Sequence, residues 1–349
     1  MGNFLSVECK QPDLDGLWSC AVLGSPRWWS KPVGGFVLSC LVGSWVLGFA
    51  MPVILPALAL KGYTKSAATG FCLAAYPFIT KIKPWPLASR FWLLGAHWFG
   101  GCSMSYEPRE PNDNSVPTMQ CYFPHGIFTL GIILNSGIRT AATWPDGADW
   151  KHYVGTTGPV PYLGLATDAL LNAPLFGHFM AKWTGVIKSA AKGPFVKLMQ
   201  KGESFGLLPG GFHEASLFEY GKDRVVVSNK KGFIKYALQY GYKVVPAYSF
   251  GECFTYRNMP GFRKIRFWLA DQGLPGILIF GFPLLPLLPL WTPWGIHTIH
   301  GSGRIFPKIS EPTKEDVEKY HAIFVSDLRA LFDRHKHRFG MSDVELEVL

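Results

Sequence analysis

The chain has 349 residues, of which 48% are hydrophobic and only 17% are charged, and its net charge is +10. This composition is too apolar for a typical soluble protein and favours association with a membrane. A basic excess suits nucleic acid, anionic lipid headgroups or phosphorylated ligands. No nucleic-acid-binding motif is visible, so we expect no nucleic-acid partner. The seven cysteines include no CxxC pair, which argues against a disulfide framework and a zinc site and predicts reduced thiols.

The N-terminal segment, residues 1–32, carries a lipidation pattern and no secretory signal. Gly2 and Ser6 in MGNFLS fit the N-myristoylation pattern, which is short enough to occur by chance, and Cys9 is placed to carry a second acyl chain. No apolar segment with a cleavage site lies at the very start. We expect this segment to be cytosolic.

Residues 33–83 are predicted to enter the membrane as a transmembrane helical hairpin. Residues 33–60 contain no charge, and about 20 apolar residues suffice to span a bilayer. Pro52 and Pro56 are expected to break this helix near its end. A second apolar run follows at 67–80. A buried core helix is the alternative to a membrane span.

Two membrane arrangements fit these runs. One is a hairpin with spans near 33–52 and 62–80 and a turn around Pro56; the other is one span followed by a re-entrant piece. The basic residues are more numerous outside the pair than at its turn: Arg27, Lys31, Lys81, Lys83 and Arg90 against Lys61 and Lys65. Both termini are therefore expected on the cytosolic side.

Residues 84–117 are predicted to link the hairpin to an α/β domain over residues 118–349. The polar stretch at 108–117 is rich in turn-forming residues. Beyond it strand-like and helix-like segments alternate, as in α/β domains. The clearest are a strand at 205–208, a helix at 229–239 closed by Gly241, and a strand at 243–250.

A long helix is predicted at 313–339. Thr313 and Asp316 have the spacing of a capping box, and Gly340 suits the C-terminal end. One face is apolar and carries Val317, Tyr320, Phe324, Leu328 and Leu331. The basic last turn, at 334–338, complements the helix dipole and is either a solvated face or a contact for lipid phosphates.

Residues 273–296 form an uncharged run interrupted by five prolines. Prolines at this density forbid one regular helix, and the run is too apolar for an ordinary surface loop. We expect an irregular segment that dips into the membrane or lines an acyl chain, buried against protein where its backbone is satisfied. An ordinary core segment is the alternative.

A histidine between proline and glycine, in Tyr122-Phe123-Pro124-His125-Gly126, is the first candidate for chemistry. A neutral imidazole is a good general base near pH 7. Pro124 fixes the chain direction, and Gly126 lets a substrate approach the backbone. A lone histidine is more often structural, and the pattern of His, four residues, then Asp is absent because residue 130 is Leu.

The sequence Pro209-Gly210-Gly211-Phe212-His213-Glu214 is the second candidate. A glycine pair after a strand exposes N–H groups that can hold a phosphate or an oxyanion. Glu214 could orient a histidine or stabilise its charge. A plain tight turn is the alternative.

Cationic residues open the helix predicted at 229–239. Lys230, Lys231 and Gly232 stand where acidic side chains are usual. A phosphate-bearing ligand would explain them, and a solvated face is the alternative.

Residues 202–206 match the G-x-S-x-G pattern of serine hydrolases around Ser204. That motif requires a strand, a sharp turn and then a helix. Here the preceding residues, 195–201, look helical and the strand follows the serine, so we reject a hydrolase nucleophile.

Together these segments resemble the type-2 diacylglycerol acyltransferase family, which includes monoacylglycerol and wax-alcohol acyltransferases. The colinear blocks run from residue 122 to the end and are YFPHG, PGGFHEA, NKKGFIKYAL, VVPAYSFGE, EPTKEDVEKYH and LFDRHKHRFG. Phe123 stands where animal members carry a first histidine. The family's YFP block is reduced to Trp98-Phe99-Gly100, and the proline-rich run at 273–296 is unlike the usual members.

The resemblance implies an α/β acyltransferase that moves a fatty acyl group from acyl-CoA, a substrate rather than a cofactor, to diacylglycerol. It implies His125 as general base with Glu214 as its partner, contacts from the glycines and lysines named above, no metal, and contact with membrane lipids. The implied location is the endoplasmic reticulum membrane or lipid droplets, with the catalytic domain cytosolic. Monoacylglycerol or long-chain alcohol acceptors, a homo-oligomer and a non-catalytic lipid-binding protein stay open.

Overall fold

The computed structural model describes residues 6–10, 18–23, 28–80, 82–107, 116–137, 163–175, 177–259, 261–274, 276–292 and 294–349. Gly2, where the lipidation pattern begins, lies outside these residues. So does most of the polar stretch at 108–117, within the predicted linker.

Most of the strands join one mixed sheet. In chain order they are β1 (Ser6–Lys10), β2 (Trp18–Leu23), β3 (Cys102–Tyr106), β4 (Thr118–Phe123), β5 (Leu163–Ala166), β6 (Ile187–Ser189), β7 (Phe205–Leu207), β8 (Arg224–Val225), β9 (Lys243–Phe250), β10 (Arg257–Asn258), β11 (Ile279–Phe280), β12 (Ile296–His300), β13 (Arg304–Ile305) and β14 (Glu347–Val348).

The main sheet has the order β1-β2-β3-β12-β9-β4-β7-β5-β6, with β13 also paired to β9. Strands β9, β4, β7, β5 and β6 run parallel to one another, and β12 is antiparallel to β9. Strands β4 and β9 are buried at every position, as in parallel sheets covered on both faces. The predicted α/β class is confirmed.

The described helices pack around this sheet or against one another. They are α1 (Ser30–Leu60), α2 (Thr64–Ile79), α3 (Pro86–Leu93), α4 (Leu130–Ile132), α5 (Asp168–Leu171), α6 (Lys192–Gln200), α7 (Gly211–Leu217), α8 (Gly232–Tyr240), α9 (Arg263–Asp271) and α10 (Lys314–His335). Short 3₁₀ or π turns occupy Leu94–Phe99, Ile133–Gly137, Gly177–Lys182, Glu252–Phe254 and Lys336–Phe339.

Two apolar clusters hold the layers together. One joins alternate residues of β4 and β9 to helices α8 and α10, and includes Met119, Phe123, Tyr248, Phe324 and Phe332. The other joins the first half of α1 to the turn at Leu94–Phe99 and to residues 127–134, and includes Val37, Leu38, Leu41, Trp98 and Phe128. Successive residues of a strand face opposite sides, so the sheet is covered on both faces.

Helix α1 continues through both of its prolines. The expectation that Pro52 and Pro56 break it is wrong, because the helix runs to Leu60. A proline removes one N–H bond, but neighbouring bonds persist, such as Lys61 N–H donating to the Ala57 carbonyl at 3.1 Å. The turn predicted around Pro56 therefore lies later, at residues 61–63.

Helix α1 has 31 residues, and among the described helices it is the one long and apolar enough to cross a membrane. At about 1.5 Å per residue it is longer than the bilayer core. Its first half is packed into the protein, whereas Val53 and Leu60 are 73% and 90% exposed. Helix α2, 16 residues long, packs against it. The predicted two-span hairpin stays a prediction.

The C-terminal helix α10 begins where predicted, but it ends at His335, four residues before the predicted end. Thr313 is its N-cap, and the Thr313 and Asp316 side chains form a capping box. A 3₁₀ turn at Lys336–Phe339 follows, and Gly340 ends it with a φ of 62°. In its described residues, which omit 275 and 293, the run at 273–296 is irregular as predicted, and β11 is the one strand there before β12 begins.

Candidate active site

Three neighbouring parallel strands, β9, β4 and β7, end at the same edge of the sheet. His125 follows the central strand β4. Glu214 lies on α7, which follows β7, and Glu252 follows β9. The carboxyl ends of parallel strands are where α/β proteins place their sites. The topology therefore puts His125 between two segments that each carry a buried carboxyl group.

His125 is enclosed by its own loop. The Phe123–Pro124 peptide is cis, and Gly126 has a φ of 60°, which favours glycine. His125 is 8% exposed, and its Nδ1 lies 3.1 Å from the Gly126 carbonyl oxygen. A carbonyl only accepts hydrogen bonds, so Nδ1 carries the proton and Nε2 is left as the basic nitrogen.

Burial also sets the charge of this histidine. Loss of solvent lowers the pKa of His125 to about 4, although the bond to Gly126 acts in the opposite direction. The low pKa keeps the imidazole neutral at pH 7, the form that accepts a proton. The imidazole is therefore in the form that can accept a proton.

Glu214 holds the main chain of His125. One carboxyl oxygen accepts the His125 N–H, and the other accepts the Val226 N–H at 2.7 Å. No described hydrogen bond joins Glu214 to the imidazole. We expected a contact between the two side chains, whereas Glu214 bonds to the main chain of His125. Burial raises the pKa of Glu214 to about 8, against the effect of the two N–H bonds.

Close packing favours glycine at position 210, and backbone conformation favours it at position 211. A Cβ on Gly210 would collide with the Glu214 carboxylate, and Gly211 has a φ of 52°. The Gly211 N–H donates to the Leu208 carbonyl at 3.2 Å. The pair thus fits the tight turn that aims Glu214 at the His125 loop, and its role in holding a phosphate or an oxyanion stays a prediction.

Glu252 is the site residue that sequence reasoning missed. It is fully buried, and its carboxyl oxygens accept the N–H groups of Leu130 at 3.1 Å and Gly131 at 2.6 Å. Burial raises its pKa to about 7. The block VVPAYSFGE ends at this residue, but no local pattern shows that its side chain reaches the loop after His125.

The two predicted phosphate-binding lysines differ in their surroundings. Lys231, next to Gly232 at the start of α8, forms an ion pair with Glu318 at 2.5 Å. Lys230 instead has its Nζ 3.3 Å from His213 Nδ1. His213 is also paired with Asp271, at 2.8 Å, and precedes Glu214. Lys230 is therefore the lysine that contacts the helix of the candidate site.

Ser204 has a structural role. Helix α6 precedes it and strand β7 follows it. The prediction that the order of elements around Ser204 is the reverse of that in serine hydrolases is confirmed. Its hydroxyl accepts the Thr118 N–H at 3.0 Å. Thr118 begins β4, so Ser204 lies at the opposite edge of the sheet from His125.

Within the described part of the chain, no three His, Cys, Asp or Glu side chains come together as a metal site. No disulfide joins the cysteines whose side chains are described, which are Cys40, Cys72, Cys102, Cys121 and Cys253.

Comparison with known proteins identifies the family. The model of the family described as diacylglycerol acyltransferase matches residues 117–349, which contain the whole site described above. The chain belongs to this family.

Its relatives include two proteins named diacylglycerol O-acyltransferase 2. The one from Xenopus tropicalis is 30% identical over 240 residues, which are 64% of this chain and 62% of that protein. The human one is 30% identical over 240 residues, 64% of this chain and 58% of that protein. Mouse diacylglycerol O-acyltransferase 2-like protein 6 is 30% identical over 244 residues, which are 65% of this chain and 68% of that protein. The chain thus spans less than two thirds of the first and second of these relatives. No solved structure matches it.

Proposed function

We propose that this protein transfers a fatty acyl group from acyl-CoA to the hydroxyl of diacylglycerol, forming triacylglycerol. The observation that carries the proposal is the family match over residues 117–349. This region encloses a buried histidine whose Nδ1 is bonded to a carbonyl, which leaves Nε2 as the basic nitrogen. The names of the relatives point to the same reaction.

His125 is the general base. Nε2 removes the proton from the acceptor hydroxyl while the oxygen attacks the thioester carbonyl of acyl-CoA. The tetrahedral intermediate then collapses, the C–S bond breaks, and CoA leaves as a thiolate that takes the proton from Nε2, which returns His125 to its neutral form. A direct transfer needs no acyl-enzyme, and general-base catalysis supplies about 10²–10⁴-fold of the rate.

The substrate contacts follow from the predicted residues. Pro124 and Gly126 shape the wall beside the imidazole, and Gly210 and Gly211 form the turn next to it. Lys230 is the lysine best placed for a CoA phosphate, because its ammonium is near α7. Lys231 and Gly232, at the start of α8, also bind the CoA phosphate once that phosphate displaces Glu318 from its ion pair with Lys231.

The membrane holds the enzyme through the α1–α2 pair, as a multi-pass protein of the endoplasmic reticulum with its catalytic domain cytosolic; lipid droplets are a second location. A second contact comes from residues 259–291. Large apolar side chains there are exposed: Met259, Phe262, Ile265, Trp268, Leu274, Leu278, Phe280, Leu284, Leu285 and Trp291. Helix α9 adds Arg263 and Lys264, as in helices that lie at a lipid surface.

The test is a microsomal assay with labelled acyl-CoA and three separate acceptors: diacylglycerol, monoacylglycerol and a long-chain alcohol. Labelled triacylglycerol as the main product supports the proposal. A preference for one of the other acceptors would keep the chemistry but change the substrate. The absence of transfer to all three, in membranes that contain the protein, would favour a non-catalytic lipid-binding protein.

A further inference from the structure

Glu252 packs directly beneath the loop that carries His125. It follows Gly251, whose φ of 91° turns the chain at the end of β9. The Glu252 carbonyl accepts the Thr255 hydroxyl at 2.8 Å, so this turn is fixed by its own bonds. The side chain is thereby aimed from β9 towards the neighbouring strand β4.

The carboxylate meets the loop at both of its ends. At the far end it accepts two successive N–H groups, those of Leu130 and Gly131. At the near end, next to His125, a Cβ on Gly126 would collide with the Glu252 carboxylate. Gly126 has a φ of 60° and Thr129 a φ of 51°. A non-glycine residue with positive φ persists where its surroundings over-determine it.

No cation is bonded to this carboxylate among the described residues, and its hydrogen bonds are to main-chain N–H groups. A carboxyl group without water is costly to bury unless its bonds are made. Burial accordingly raises the pKa of Glu252 to about 7. An apolar side chain would fill the same space equally well. Only a side chain with two acceptor oxygens can accept both N–H groups, so these two bonds distinguish Glu252 from a residue that merely packs.

We propose that Glu252 is a positioning residue: together with Glu214 it clamps the loop 125–131 from opposite sides and so fixes the imidazole of His125 for catalysis. Glu214 holds the N–H at the start of the loop from the β7 side, and Glu252 holds the two N–H groups at its end from the β9 side. The catalytic part of the inference rests on the proposed acyl transfer. The part concerning the position of His125 does not.

The variants are Glu252→Ala, which removes both bonds, and Glu252→Gln, which keeps the volume and one acceptor oxygen. Asp223→Asn is the matched control. Asp223 is also buried, and it accepts the Tyr248 hydroxyl at 2.6 Å and the Cys253 thiol at 3.6 Å. The control therefore alters a buried carboxyl beside the same turn without a described bond to the loop.

The first measurement does not depend on activity. The full-length protein in detergent is treated with diethyl pyrocarbonate, and modification of the His125 peptide is compared with that of His213, which is partly exposed. We expect Glu252→Ala to speed modification of His125 by about tenfold or more, because local opening exposes a buried group. The rate of His125 modification in Glu252→Gln should lie between those of the wild type and Glu252→Ala, and the rate in Asp223→Asn should match the wild type. Equal protection in all four proteins would overturn the proposal.

The second measurement separates kcat from KM. A misplaced catalytic group costs about a hundredfold, so kcat per folded protein should fall strongly in Glu252→Ala and less in Glu252→Gln, while KM for acyl-CoA changes little. A structural role alone would lower the amount of folded enzyme and leave both constants as in Asp223→Asn, which would count against positioning. Loss of transfer in the wild type as well would refute the proposed function, and the modification assay would still decide the position of His125.

Discussion

At the scale of single residues, the pKa of His125 has a measurable consequence. Burial lowers this pKa to about 4, so the imidazole stays deprotonated throughout the range above pH 5. We predict that kcat/KM shows no loss attributable to histidine protonation between pH 8 and pH 5.5, where an ordinary histidine with a pKa of about 6.5 would lose most of its basic form. A pH profile in isolated membranes measures this.

The two carboxyl groups supply the control for that profile. The pKa values of Glu214 and Glu252 are raised to about 8 and about 7, so their ionised forms are lost as the pH falls through those values. A decline in kcat/KM near pH 8 that disappears in Glu214→Gln, or one near pH 7 that disappears in Glu252→Gln, belongs to the clamp. A decline near pH 6.5 that survives in both variants would contradict the buried, neutral His125.

Glu214 and His125 are expected to act as one unit. Glu214→Gln loses one of two N–H bonds, either to His125 or to Val226, and should lower turnover by displacing the imidazole. Losses in residues that act together do not add. The double variant with His125→Ala should therefore be little slower than His125→Ala alone. Multiplying losses would assign Glu214 a role independent of the histidine.

At the scale of secondary structure, the first half of helix α1 is packed in the protein core and its second half is exposed. Leu38 is fully buried in the second apolar cluster, whereas Leu60 is 90% exposed. Removing a packed leucine side chain costs roughly 2–5 kcal/mol. We predict that Leu38→Ala clearly lowers the melting temperature in detergent and that Leu60→Ala barely changes it. Equal effects would mean that the first half of α1 is not part of the folded core.

The exposed apolar side chains at 259–291 lead to a second prediction at this scale. Amphipathic segments of this kind bury their apolar face at the lipid surface. A photoactivatable phospholipid should label peptides from α9 and residues 278–291, in addition to α1 and α2. The exposed face of α10, which carries Lys314 and Lys319, is the control in the same digest. Label confined to α1 and α2 would remove the second membrane contact.

The predicted elements were right where the signals are local. The valine- and aromatic-rich run at 243–250 became β9, and the capping box at Thr313 began α10. The predicted end of α1 was wrong because each proline removes one hydrogen bond but the helix keeps the neighbouring bonds. The contact between Glu252 and the His125 loop spans 121 residues of sequence, and no pattern within either segment encodes which strands become neighbours.

The same limit applied to the site. Its histidine and the first carboxyl were found from PHG and GGFHE, whose glycines mark tight turns. That Glu214 bonds the main chain of His125, and that Lys231 is engaged by Glu318, depend on how α7 and α10 pack. These contacts are set by the tertiary fold rather than by residue type or spacing.

At the scale of the whole molecule, the fold combines exposed apolar helices with the candidate site. The first half of α1 is built into the core and its second half, with α2, projects apolar side chains outward. Three parallel strands meanwhile deliver Glu252, His125 and Glu214 to one sheet edge. Such an arrangement suits the reaction that we propose, in which one substrate is dissolved in the membrane and the other, acyl-CoA, comes from water.

The most direct test of the central claim is triacylglycerol formation in cells that lack their own triacylglycerol synthesis, measured by lipid analysis at matched protein levels. We expect the wild-type chain and Ser204→Ala to restore triacylglycerol, and His125→Ala to lower its rate of formation about a hundredfold or more with membrane insertion unchanged. Near-normal triacylglycerol formation by His125→Ala would show that His125 is not the general base.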